Sequence, residues 1–134
     1  MNQSFYDKLT SVIAKERVYV DEPMSRHTTF RVGGPADFFV TPKAKEEVRD
    51  VIRICKEAGM PYYIIGNGSN LLVSDAGYRG VIVQIYKEMN EVKVEGDLVK
   101  AQAGALLSGI AAKALGAELS GFEFASGIPG TIGG

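Results

Sequence analysis

One cysteine, one histidine and no long apolar run narrow the possibilities before any motif is read. The lone Cys55 forbids an internal disulfide and suits a reducing compartment. The lone His27 has no cysteine or carboxylate at ligand spacing, which argues against a metal site and for a surface or loop role. No stretch approaches the roughly 18 apolar residues that cross a bilayer. The opening "MNQSFYDKLTSV" has neither the basic flank nor the apolar stretch of a signal peptide. A cytoplasmic protein without a membrane partner is the expectation. Charge of one sign is missing too. Fifteen Lys and Arg face sixteen Asp and Glu, the net charge is −1, and no basic run offers nucleic acid a footing. No Ser-His-Asp or Cys-His set can be assembled. Glu46 and Glu47 are adjacent and so point to different helix faces. General acid–base catalysis has no owner in this chain.

What is present is ordinary globular material. The 134 residues are 46% hydrophobic and 23% charged, enough for one core and too apolar for disorder. Phe5, Leu9, Val12 and Ile13 recur at helical spacing over residues 3–16, which predicts a peripheral amphipathic helix. About twenty residues without clear periodicity follow, closing in "HTTFRVGGPADFFV". Gly33, Gly34 and Pro35 mark a turn there, and Asp37 to Val40 read as a short buried strand.

Thr41 and Pro42 suit an N-cap and first helical position, and Gly59 a helix stop. Between them Val48, Val51, Ile52, Cys55 and Ala58 form one apolar stripe, and the charges of "KAKEEVRD" its solvated face. A buried thiol is the plain reading of Cys55. "YYII" at 62–65 completes strand, helix, strand, the size of a parallel βαβ unit. Its tyrosines read as strand packing. "VIVQI" at 81–85 offers a third strand. From Glu91 the pattern alternates, "EVKVE" and "LVKAQ" flanking Gly96-Asp97 as in a two-residue hairpin. Residues 105–115 read as a helix and the remainder as loop.

Two loops have the composition to meet a ligand. "GNGSNL", Gly66, Asn67, Gly68, Ser69, Asn70 and Leu71, follows a strand directly. Its glycines let backbone N–H groups converge into an anion nest, for which a phosphate or diphosphate is the natural guest. It is neither of two familiar nucleotide loops. The pattern G-x-G-x-x-G fails at Leu71, and no Gly-Lys-Ser/Thr is present. On spacing alone a tight turn leaving a strand fits equally well. "GIPGTIGG" offers the same choice: Pro129 stiffens it, while Gly127, Gly130, Gly133 and Gly134 remove side chains that would block a flat ligand. An ordinary connector is the alternative. Two such loops in one small chain point to one large ligand between them.

The segments "HTTFRVGGPADFFV", "IIGNGSNLLVSDAGYRGVIV", "AGALLSGIAAKA" and "LSGFEFASGIPGTIGG" occur in this order and spacing. Together they resemble the UDP-N-acetylenolpyruvoylglucosamine reductase (UDP-N-acetylmuramate dehydrogenase) family. That family lies within the FAD-binding superfamily of vanillyl-alcohol oxidase type. The resemblance covers nearly everything from Ser25 onward.

It implies that Gly66 to Leu71 wrap the FAD pyrophosphate. Gly127, Ile128, Pro129, Gly130, Thr131, Gly133 and Gly134 would lie against the ribityl and flavin part, with the Ala103-Gly104 turn adjoining. No histidine stands in the first loop, so attachment would be noncovalent. The implied reaction uses NADPH to reduce the enolpyruvyl ether of a UDP-sugar in peptidoglycan synthesis, with hydride passing through FAD. The family's catalytic arginine, serine and glutamate have no matching residues here, so no catalytic residue is assigned and an isolated chain is expected to lack turnover.

The implied fold class is α/β, α+β overall: a small parallel βαβ subdomain, then the start of an antiparallel one. The expected divisions are a lead-in at 1–29, a first FAD-binding subdomain at 30–86 and part of a second at 87–134, without a substrate domain. An unpaired sheet edge in the second part invites self-association. The alternatives are another flavoprotein of the superfamily, acting on a hydroxy acid or alcohol, or a binding fragment without chemistry.

Overall fold

A computed structural model describes residues 1–134. The alternating and helical patterns sort into two sheets, one of four strands and one of two. The first is built from β1 (Val18–Pro23), β2 (Pro35–Val40), β3 (Tyr62–Ile65) and β4 (Tyr78–Gln84), in the order β1-β2-β4-β3. β2, β4 and β3 run parallel, so β4 inserts between the two strands that the connecting helix links. β1 adds an antiparallel edge, Val18 facing Val40 and Tyr19 facing Phe39.

That edge strand lies inside the stretch read as aperiodic. Its apolar run is only Val18, Tyr19 and Val20. Asp21 then takes a left-handed φ of 51° and drops out of the pairing, which resumes at Glu22 opposite Ala36. A strand broken this way shows too few alternations to stand out.

Two helices cover one face. α1 (Gln3–Thr10) is capped by the Asn2 side chain, which accepts from the Phe5 N–H at 3.0 Å. It ends sooner than its stripe predicts, at Ser11, yet Ile13 is still buried beyond it. It is also less peripheral than expected. Phe5 and Leu9 are buried in the main core, and the Phe5 ring lies 5.1 Å from that of Phe38.

α2 (Lys45–Ala58) buries Val51, Ile54 and Cys55 against Phe38, Val40, Val81 and Val83. Ile54 thus takes the place in the stripe expected of Ala58, which is exposed. The helix stops at Gly59, in the left-handed conformation with φ 63°, as its glycine predicts. Its start is later than the Thr41-Pro42 signal. Ala44 is the extended N-cap, without a side-chain hydrogen bond. The Glu47 carboxylate accepts instead from the Lys43 N–H, while the Thr41 N–H is spent on the Arg17 carbonyl. Glu47 is not on the solvated face either. Arg17 grips it with two hydrogen bonds of 2.6 and 2.9 Å.

On the other face a smaller cluster gathers Met24, Ala36, Phe39, Ile65 and Ile82. Chain from β4 then crosses a short turn into the hairpin of β5 (Val92–Glu95) and β6 (Leu98–Ala101), which pairs Val92 with Ala101 and Glu95 with Leu98. Gly96 turns it with φ 63°. α3 (Leu107–Gly116) follows, burying Ile110, Ala111 and Ala114. A parallel α/β part and an antiparallel part, as the sequence predicts, are therefore joined around residues 85–91.

Candidate functional site

Each of the two glycine-rich loops is fixed from below by backbone. Gly66 to Leu71 leave the C-terminal end of β3. Gly68 takes φ +73°, and a Cβ there would collide with the His27 carbonyl oxygen. That close approach lets the Thr29 N–H donate to the Gly68 carbonyl at 3.1 Å. Gln84, at the end of β4, donates from Nε2 to the Gly66 carbonyl at 3.1 Å. The Ser69 N–H donates to Asn67 Oδ1 at 3.2 Å, closing an Asx turn. Ser69 and Asn70 remain exposed.

The second loop is tied to the start of α3. The Leu107 N–H donates to the Gly130 carbonyl at 3.1 Å, and Thr131 bridges to Leu106. Ile132 and Gly133 donate to the carbonyls of Ala105 and Ala103, each at 2.9 Å. Gly130 has φ +116°, a conformation open to glycine, and a Cβ on it would meet nothing within 4 Å.

The loops face each other across one cleft of about 510 Å³. All of Gly66 to Leu71 line it, opposite Ile128, Pro129, Gly130, Thr131 and Gly134. Gly133 sits behind them, in a cavity of about 280 Å³ shared with Gly66, Thr131 and Ala103. Gly127 lines neither space and ends a 3-10 turn over Glu123–Gly127. Gly104 has a structural role: its N–H donates to the Met89 carbonyl at 2.8 Å, and a Cβ would strike the carbonyls of Tyr86 and Met89.

Tyr63, Ile64 and Leu107 also line the cleft. Tyr63 is 54% exposed rather than packed within its strand, so the reading of the tyrosine pair as strand packing does not hold for it. Its position three residues before Gly66, on the strand that delivers the loop, is the signal that locates it. Chemically the cleft is a holder. No carboxylate, imidazole, thiol, ammonium or guanidinium lines it, whereas glycine backbone, amides and hydroxyls do.

The titratable groups with clear shifts lie elsewhere. Burial pushes the Cys55 thiol up to about 11, and it is fully covered within the main core. Hydrogen bonding to Arg17 holds the Glu47 carboxyl below the usual carboxylate range, against the opposing effect of burial. His27 is no free surface residue: its ring stacks on Phe39 at 4.0 Å, and Nε2 meets Glu22 at 2.9 Å. No group of three metal-ligating side chains is present, and no helix is long and apolar enough to cross a membrane.

Comparison with known proteins converges on this cleft's part of the chain. A family described as FAD binding domain matches residues 36–134. A UDP-N-acetylenolpyruvoylglucosamine reductase of Clostridium botulinum is 51% identical over all of this chain, which spans 44% of that relative. One from Clostridioides difficile is 48% identical over 99% of the chain, again spanning 44% of the relative. This chain therefore spans less than half the length of these relatives. Among solved structures, UDP-N-acetylenolpyruvylglucosamine reductase from Thermus caldophilus superposes with a TM-score of 0.65 at 33% identity, over 87% of this chain and 39% of that one. p-Cresol methylhydroxylase shares the fold, with a TM-score of 0.66 at 20% identity, over 87% of this chain and 25% of that one.

Proposed function

Because this chain belongs to the FAD-binding domain family, we propose that its two-loop cleft holds FAD noncovalently, as the cofactor-binding part of a UDP-N-acetylenolpyruvoylglucosamine reductase. The convergence of Gly66–Leu71 and Ile128–Thr131 on one cleft carries the reading. The residues suit the group. Glycine backbone, amide and hydroxyl groups line the cleft where the diphosphate would lie, and Gly130 leaves open the space that a flat ring needs. Gly133 lets the second loop pack closely on Ala103 behind that contact, and Gly127 leads into the loop. The sheet and the hairpin part are the two subdomains between which the cofactor lies, with their division at Tyr86 to Asn90.

When bound, FAD supplies hydride chemistry between NADPH and the enolpyruvyl group of a UDP-sugar, a cytoplasmic step of peptidoglycan synthesis serving cell shape and division. The residues in this chain bind and orient. No residue of this chain is assigned a proton-transfer role, so the 134 residues by themselves are expected to bind flavin without turning over substrate.

Titration of the chain with FAD, read by flavin fluorescence, tests the reading. Saturable binding is expected, and Ser69→Glu, which sets a carboxylate on the exposed rim of the first loop, should weaken it at least about tenfold. Equal affinity in the variant at unchanged melting temperature would remove the loop from the FAD site.

A further inference from the structure

Asn67 and Gly68 form the only Asn-Gly pair in the chain. The backbone nitrogen that follows an asparagine can attack its side-chain carbonyl and close a cyclic imide. A side chain on the following residue hinders that approach, and Gly68 has none. The other asparagines, Asn2, Asn70 and Asn90, precede Gln3, Leu71 and Glu91.

The first loop leaves both reacting groups available. The Gly68 N–H donates to no backbone or side-chain acceptor. Of the Asn67 amide only Oδ1 is engaged, by the Ser69 N–H at 3.2 Å, and Nδ2 has no partner to hold it. Attack on the carbonyl gathers negative charge on Oδ1, where the Ser69 N–H already points. A donor so placed stabilises an oxyanion. Asn67 is half-buried and lines the two-loop cleft, through which water reaches it.

We propose that Asn67 is a self-modification site, which deamidates through Gly68 and thereby closes the cleft to a diphosphate. The Gly68 nitrogen gives its proton to solvent base and bonds to Asn67 Cγ. The Cγ–Nδ2 bond breaks, and Nδ2 leaves as ammonia with a proton from solvent. Water then opens the imide at one carbonyl or the other, to aspartate or to isoaspartate. Either product sets a carboxylate in a cleft lined by glycine backbone, amides and hydroxyls, on a chain whose net charge is already −1. A ligand seated on the loop keeps water from Asn67, so the occupied protein is protected. The modification stands on the loop's own geometry, and only its consequence rests on the FAD reading.

Peptide mass mapping of the chain after incubation at pH 8 tests the proposal. A gain of about 1 Da is expected at Asn67, with isoaspartate detected there by enzymatic carboxyl methylation. Conversion should run at least about tenfold faster than at Asn70, which shares the loop but precedes leucine. The rate should rise with pH, because the attacking nitrogen must lose its proton, and saturating FAD should slow it at least about fivefold. Asn67→Gln, whose longer side chain disfavours the ring closure, should gain no mass at that position. Intact and deamidated chains, separated by anion exchange, should differ in FAD affinity at least about tenfold, and Asn67→Asp should show the same loss without ageing. Deamidation in a chain that takes no FAD at all would remove the FAD reading and leave the modification site standing. Conversion at Asn67 no faster than at Asn70, or a deamidated chain that binds FAD within about twofold of the intact one, overturns the proposal.

Discussion

The Thr131 hydroxyl oxygen lies 2.9 Å from the point that a Cβ on Gly66 would occupy. One glycine thus lets the second loop touch the first, and Thr131 is only 5% exposed at that junction. Gly66→Ala would need Thr131 to rotate or the loops to part. Because the obstacle is the end of one side chain, stability should fall by no more than about 1 kcal/mol. FAD affinity, read by fluorescence titration, should fall about tenfold, since the cleft is widened at its narrowest contact. An unchanged affinity would show that the junction does not set the width of the site.

Gly68 makes the opposite case. Its obstacle is the His27 carbonyl, which belongs to the backbone and cannot swing aside, and φ is +73° besides. Gly68→Ala should destabilise the fold itself by about 2–4 kcal/mol in urea denaturation, with the Thr29–Gly68 hydrogen bond lost. The two glycines of one motif therefore separate by assay, Gly66 through ligand affinity and Gly68 through stability.

That separation shows how far the sequence could be read. Gly66 and Gly68 look alike in "GNGSN", because a glycine spells permission for a close approach without saying what approaches. The partners, Thr131 and the His27 carbonyl, are distant in sequence. The parallel strands and the hairpin were legible because Phe38 to Val40, Tyr62 to Ile65 and Val81 to Val83 are dense apolar runs, and Gly96-Asp97 spells its own turn. β1 was not, since Asp21 breaks its alternation and its pairing with β2 is what stabilises it. The first turn of α2 was misplaced because Thr41 and Pro42 form a good local cap, while Glu47 caps from within the helix under the pull of Arg17. Local rules lost there to a tertiary ion pair. A wide cleft of about 690 Å³ beside Asn67 was invisible for the same reason: its walls come from β1, β2, β4 and four connecting segments.

The Arg17–Glu47 pair should show itself in acid. Both side chains are about 15% exposed or less, and the contact is bidentate. Hydrogen bonding to Arg17 holds the folded-state pKa of Glu47 below its ordinary value. A depressed carboxyl contributes stability that is complete above the unfolded pKa of about 4.3 and is lost as pH falls through the folded value. Glu47→Gln should therefore cost about 1–2 kcal/mol at pH 7 by chemical denaturation. The difference from wild type should shrink as pH drops below about 4. A gap independent of pH would mean that the carboxylate matters for packing alone.

Cys55 should be inert while the chain is folded. Burial lifts its pKa to about 11, and no surface of the residue is exposed. Thiolate is the reactive form, so at pH 8 a disulfide-exchange reagent should label it only as fast as the core opens. Complete labelling on addition of urea is the expected contrast. Rapid modification of the native chain would place Cys55 outside the core that α2 forms with β2 and β4.

The hairpin side should be the first to open. β5 and β6 make a sheet of two strands, with Val94 37% and Leu98 60% exposed and both outer edges unpaired. Two strands alone are marginal in water. α3 backs them, with Ile110 and Ala114 beside Val99 and Ala101. In hydrogen exchange, amides of 91–134 should therefore exchange well before those of 30–85, which belong to a four-stranded sheet covered by α1 and α2. The open edges also template pairing with a second copy. Raising protein concentration should then slow exchange in β5 and β6 while leaving the amides of β2 and β4 unchanged. Protection of the hairpin equal to that of β2 at low concentration would show that α3 supports it as firmly as the larger sheet supports itself.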